Sequence, residues 1–313
     1  RMGEKDEYMS RNEPMAAQEE YKNPWEKISD SPMLAQAEQL LQANDIEESA
    51  QNLEAADYIL QGMSVGPEAE AVNHQASMNF YTFASQVWKQ IGWQDHTKED
   101  AVDAETDAMA KSLTGEEIAL PFESEMLLKQ IEADADLAQM YADIRQQMVE
   151  QMYDQAEEGN ITSDQLQGMK VVQAGFRILG AMAGRRQYQL PVETESGMKV
   201  VNLTMQTGGV EARGITIRMA AGVHGMLQAQ IRMDEAGTCT GEILGGSSEA
   251  NTWLAGQTDA FRELLAGSEY ADAAVALGES RTAARGTNGG ADTQKLCRAA
   301  IFFVKAMAKL TDI

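Results

Sequence analysis

The side chains that could do chemistry are few and scattered. Three histidines, His74, His96 and His224, lie in separate segments. His96 sits in "WQDHTKED", whose composition is metal-like, but no second His or Cys stands at ligand spacing, so a solvated turn is expected. His224, in "AAGVHGM", reads as a polar turn residue. Two cysteines, Cys239 and Cys297, are too few for a disulfide framework or a zinc site and are expected to be free, buried thiols. Carboxylates are abundant, yet "EADAD" at 132–136 falls in a predicted helix. There its acids point around the cylinder instead of forming a calcium loop. Asp234 and Glu235 adjoin at a strand end, which is not by itself an acid–base pair. "GTNGG" at 286–290 lacks the strand–loop–helix context of a phosphate cradle, and no G-x-S-x-G, H-E-x-x-H or Walker loop occurs. These residues imply no catalytic centre, no metal and no cofactor, and the expectation is a protein that binds other proteins.

Charge narrows the partners. The chain of 313 residues carries a net charge of −24. Residues 184–313 hold 13 Lys and Arg against 14 Asp and Glu, which leaves 12 against 35 for residues 1–183, a net of −23. Such a segment repels phosphate backbones and anionic lipid, so nucleic acid and membrane are expected to be poor partners, and basic surfaces are better candidates. The apolar runs are far shorter than a membrane span, and no secretory signal peptide is visible. The start at Arg1 in place of Met reads as that of a fragment.

The elements that would carry a binding surface follow from periodicity. Residues 1–30 read as a polar tail pinned by Trp25. Residues 31–183 read as an acidic helical region. Ser31-Pro32 starts a helix, residues 46–61 a second, and residues 67–91 a third with Phe80, Phe83, Val87 and Ile91 on its stripe. Residues 97–112 are acidic and rich in Ala, and Pro121 marks a break. Residues 124–159 read as one long helix along Leu127, Ile131, Leu137, Tyr141, Ile144, Met148 and Met152. Thr162 and Gln165 form a capping box for a helix that stops near Gly184.

At Gly184 the period changes from helical to two. Tyr188–Val192 reads as a short strand whose Pro191 suits a sheet edge. Val201, Leu203 and Met205 alternate with polar residues. So do Ile215, Ile217 and Met219, then Leu227, Ala229, Ile231 and Met233, and then Cys239, Gly241 and Ile243. The pattern predicts an antiparallel sheet with one apolar and one polar face. A helix over 249–266, capped by Ser247 or Ser248, is expected to cover the apolar face, and Ala273–Leu277 is a further short strand. Residues 184–283 thus form an α+β module. Residues 284–313 are a linker and a C-terminal amphipathic helix over about 292–310, and the fold class of the whole is α+β.

The module resembles the C-terminal domain of bacterial flagellar hook-length control proteins. The likeness rests on "GITIRM" (Gly214–Met219) for the family's GxVxIxL strand, on "GMLQAQIRM" for the next strand, on "WLAGQTDAFRELL" for its Leu-rich helix, and on "AAVAL" for its last strand. It covers residues 188–279. The chain lacks the family's LxPxxLG motif in "LTMQTGGVEARG", and its first half is helical where relatives carry a Pro/Gln-rich region. "IEESAQNLEAADYIL" and "ADTQKLCRAAIFFVKAM" look more like divergent flagellar-operon proteins of clostridial bacteria.

The resemblance implies a bacterial cytoplasmic protein exported through the flagellar type III apparatus, whose C-terminal domain switches export specificity. The partner implied is the cytoplasmic domain of the export-gate switch protein, together with hook or hook-cap proteins. It makes Ile215 and Ile217 candidates for contact, with the opposite parity, Thr216, Arg218, Gln228, Gln230 and Arg232, as the other candidate surface. Burial of the two isoleucines in the core is the competing reading. The alternative function is an export chaperone or adaptor that holds a client through the acidic helical half.

Overall fold

The computed structural model describes residues 24–63, 79–90, 124–133, 136–159, 161–194, 197–208, 211–234, 236–280 and 293–311. The fold is α+β: helices precede a six-stranded sheet, and further helices follow its strands.

The first helices begin later than their sequence signals suggest. Residues 24–30 lie in the expected tail, yet Pro24–Ser29 forms a short helix, α1. Ile28 anchors it at 2% exposure, whereas Trp25, the expected anchor, is 52% exposed. Helix α2 is Leu34–Ala43, three residues beyond Ser31. Ser31 Oγ accepts from Met33 N at 3.2 Å and donates to Asp57, so its hydroxyl ties the turn to the next helix instead of capping α2. That helix, α3, is Ala50–Met63 in place of 46–61, because Ser49 Oγ accepts from Asn52 N and sets the start. Of the expected 67–91 helix, Phe80–Gln90 forms α4, preceded by Asn79, whose Oδ1 accepts from Thr82 N; residues 67–78 and 91 lie outside the described residues, as do 97–112 and Pro121.

The expected long helix over 124–159 is two helices, α5 (Ser124–Glu132) and α6 (Leu137–Glu157). Asp136 is the reason: its carboxylate accepts from Gln139 N and caps α6. A short acidic side chain competes for backbone donors and favours a new helix start over helix continuation. Glu132 therefore ends α5 and Asp136 opens α6. Helix α7, Ser163–Gly184, carries the Thr162–Gln165 capping box as expected. Helices α3, α4 and α6 pack around α7. Phe176 meets Phe80 edge-on at 5.3 Å and Tyr141 at 5.8 Å. Gly175 permits this crossing, because a Cβ there would run into the Phe80 ring.

The strands are β1 (Gln187–Thr194), β2 (Gly197–Gly208), β3 (Glu211–Ala220), β4 (Met226–Met233), β5 (Cys239–Gly245) and β6 (Ala274–Leu277), side by side in chain order. All neighbours are antiparallel except β5 and β6, which are parallel. Pro191 lies in the edge strand β1. Leu203, Ile217, Ala229 and Ile243 stand opposite one another across four strands, as do Met205, Ile215 and Ile231. Each of them is at most 6% exposed.

The cover of that face differs from expectation. The expected 249–266 helix is two, α8 (Ser248–Gly256) and α9 (Thr258–Ala266), parted at Gln257 beside the poor helix former Gly256. Ser247 caps α8 by accepting from Ala250 N. Helix α8 packs on β5 and β6 at one side of the sheet. The centre is covered instead by the last helix, α10 (Thr293–Thr311), which lies on β1, β3 and β4 and also touches α5 and α9. Leu296, Phe303, Val304 and Met307 are fully buried there. One buried cluster runs from Ile28 through the sheet to Leu310.

Candidate functional site

Alternation along β3 and β4 sends Ile215, Ile217, Ala229 and Ile231 to one side and Thr216, Arg218, Gln228, Gln230 and Arg232 to the other. Ile215 is 3% and Ile217 0% exposed, so both are packed in the core beneath α10 and leave the candidate contact surface. The polar candidates come together on the opposite face. Thr216 stands opposite Gln230, and Arg218 opposite Gln228. Arg218 and Arg232 are exposed, and Thr216, Gln228 and Gln230 are half-buried by their neighbours on the sheet.

Register extends this surface beyond the expected residues. Thr204 and Gln206 of β2, both exposed, lie on the same face, as do Thr240 and Glu242 of β5. Gln206 Nε2 donates to Thr216 Oγ1 at 3.2 Å. Ser280 Oγ donates to Glu242 Oε2 at 3.5 Å. A Cβ on Gly214 would lie 3.0 Å from Ile231 O and 3.4 Å from Arg232 Cγ, so the arginine stem passes beside the glycine. Neither Arg218 nor Arg232 forms an ion pair with a described residue. Alternate-parity reading could have found Thr204, Gln206, Thr240 and Glu242, because all four occupy the polar positions of their runs.

The same face is closed at its β1–β2 end by a buried polar network. Gln189, 1% exposed, donates from Nε2 to Ile59 O at 2.9 Å and to Asn202 Oδ1 at 3.1 Å. Asn202 Nδ2 donates to Gly62 O at 3.0 Å, satisfying one of the last carbonyls of α3. The Tyr81 hydroxyl donates to Gln189 O and so ties α4 to the edge strand. Burial pushes the Tyr81 and Tyr141 hydroxyls up, Tyr141 to about 12. No periodicity in the sequence signals this network, since its members lie up to 140 positions apart.

The remaining chemistry-bearing residues have structural roles. His224 stacks on Trp253 with ring centroids 3.9 Å apart. It occupies the 3-10 turn Gly222–His224 joining β3 to β4, in which Gly222 and Gly225 take positive φ and Val223 is 96% exposed. Asp234 Oδ1 accepts from Thr238 N at 2.8 Å and closes the β4–β5 turn. Cys239 and Cys297 are buried and form no disulfide, as expected. Burial, reinforced by Asp234 and Glu269, pushes the Cys239 thiol up to about 11, which keeps it protonated and unreactive at neutral pH. Among the described residues no group of three or more His, Cys, Asp or Glu could hold a metal ion. His74, His96, Glu235 and "GTNGG" lie outside the described residues.

A depression of about 350 Å³ lies between the start of α3 and the middle of α7, where Glu47, Ser49, Lys170 and Arg177 line it. It is shallow and polar, unlike the concave, mostly apolar sites that enclose small molecules. No helix among the described residues is long and apolar enough to cross a membrane. The fold is thus α+β, and among the described residues one surface of the sheet is covered while the other is open over β3 and β4. Comparison with protein-family models, with curated proteins and with solved structures finds no match.

Proposed function

We propose that the chain acts by binding another protein on the open polar face of β3 and β4, and that this binding, not catalysis, is its function. The observation that supports the reading is the split in parity. On these strands every apolar side chain of one parity is buried, while Thr216, Arg218, Gln228, Gln230 and Arg232 of the other present donors and acceptors to the outside. The partner we propose is the cytoplasmic domain of the flagellar export-gate switch protein, with the chain controlling export specificity from the bacterial cytoplasm or after export. What supports this choice is the likeness of "GITIRM", "GMLQAQIRM" and "WLAGQTDAFRELL" to hook-length control proteins.

A second reading has one observation in its favour. Val149 and Tyr153, four residues apart on α6, are 38% and 69% exposed, a small apolar strip among carboxylates. An export client held by the acidic helices would use it.

Titration of the full chain with the export-gate domain tests the first reading. Binding is expected, and Gln230→Trp, which places a bulky ring on the face, should weaken it at least tenfold. Loss on Tyr153→Ser with no change on Gln230→Trp would favour the client-holding reading.

A further inference from the structure

We propose that the occupant of the open face is an extended, carboxylate-bearing segment of a partner protein, held near its two ends by Arg218 and Arg232. This rests on the docking reading above and adds the chemistry of the partner. The two guanidiniums share one face of the β3–β4 pair. Arg218 stands opposite Gln228 on β4, and Arg232 follows four residues further along the same strand. Four residues of strand span about 13 Å. An extended segment laid along β4 matches that distance with acids at i and i+4, both on its facing side because side chains alternate. Guanidinium and carboxylate make paired, planar hydrogen bonds, which makes arginine the suited cation for such a site.

The rest of the face fits the same ligand. Thr216 and Gln230 lie between the arginines and Gln228 lies beside Arg218, uncharged groups that can both donate to and accept from a backbone or a polar side chain. Glu242 of β5 stands opposite Gln230 and marks the limit of the cationic surface, so the segment is placed over β2–β4. The location is specific within a chain of net charge −24, most of which repels acids. Neither arginine is neutralised by an ion pair to a described residue.

The test uses the full chain and two labelled peptides of identical composition, rich in Thr and Val, with two Glu either four residues apart or adjacent. Identical charge makes the repulsion from the rest of the protein the same for both. Anisotropy titrations at low salt should show the spaced peptide binding about fivefold more tightly, the upper range for one exposed ion pair. Arg218→Gln and Arg232→Gln should each remove that advantage without moving the melting temperature, and Glu242→Gln should strengthen binding of the spaced peptide. Equal affinities of the two peptides, or indifference to both arginine variants, would overturn the proposal. A shift from dimer to monomer in those variants by light scattering would make the occupant a second copy of the chain and would also overturn it. If the peptides fail while Gln230→Trp still abolishes export-gate binding, the docking surface stands and the carboxylate partner falls.

Discussion

The two faces of the sheet are made from the same strands, yet they differ in almost every physical property. The covered face loses Ile217, Ala229 and Ile243 wholly from water, and α10 lies across it. The open face keeps arginines, glutamines and threonines in contact with solvent. Burying an aliphatic side chain yields about 1.5–3 kcal/mol, whereas an exposed polar side chain contributes little to folding. One face therefore carries stability, and the other is free to carry recognition. The β1–β2 end lies between these extremes: Gln189 and Asn202 belong to the polar parity but are buried, the carbonyls of α3 accept from both of their amide groups, and the Tyr81 hydroxyl donates to the Gln189 backbone carbonyl.

Truncation at the centre of the covered face should break this contrast most severely. Phe303 of α10 is fully buried and meets Phe261 at 5.9 Å. Phe303→Ala is expected to cost about 3–5 kcal/mol in denaturant unfolding, while Thr216→Ala on the open face should stay within about 0.5 kcal/mol. A cost below 1 kcal/mol at Phe303 would mean that α10 does not close the sheet.

A smaller effect is expected at the junction of helices and sheet. Tyr81→Phe leaves the ring in place and removes the donor to Gln189 O, stranding a buried acceptor. About 1–3 kcal/mol should be lost. An unchanged unfolding midpoint would show that water or another group replaces the hydroxyl.

The smallest effect near neutral pH, and the one confined to alkali, comes from the buried acids. The Cys239 thiol is raised from 9.0 to about 11 and the Tyr141 hydroxyl from 10.0 to about 12, both chiefly by burial. The folded state thus holds the protonated, neutral forms more firmly than the unfolded chain does. Their contribution is complete below pH 9, and it is lost between pH 9 and 11 for Cys239 and between pH 10 and 12 for Tyr141. Thermal melts should be flat through neutrality and fall across that range. Cys239→Ala should remove the earliest part of the fall, and a profile identical to wild type would contradict the assignment.

Local pattern was enough to locate the strands and their parity. The alternation from Ile215 to Met219 and from Leu227 to Met233 determines which side chains are buried, because a one-residue slip would turn the whole apolar set to water. The Thr162–Gln165 box likewise determines the start of α7, since both of its hydrogen bonds close within four residues. The polar surface was legible for the same reason, but Ile215 and Ile217 were not assignable to core or contact until something was seen to cover them.

That cover was a tertiary matter. Two amphipathic segments, 248–266 and 293–311, carry stripes suited to the apolar face, and nothing local in either says which will lie on it. Chain geometry decided: α8 follows β5 directly and the chain returns through α9 to β6 beside β5, which holds α8 at that side of the sheet, and the centre is left to α10. The break before Asp136 depended on one carboxylate turning back to Gln139 N, a choice that an unbroken apolar stripe conceals. The Gln189 network and the His224–Trp253 stack join residues far apart in sequence. Sequence by itself determined the periods, the Thr162–Gln165 box and the division of the alternating strands into two faces, because those follow from interactions a few residues long. Which helix closes the sheet, and which polar groups are buried with partners, follows from contacts between distant segments, and only the folded chain brings those together.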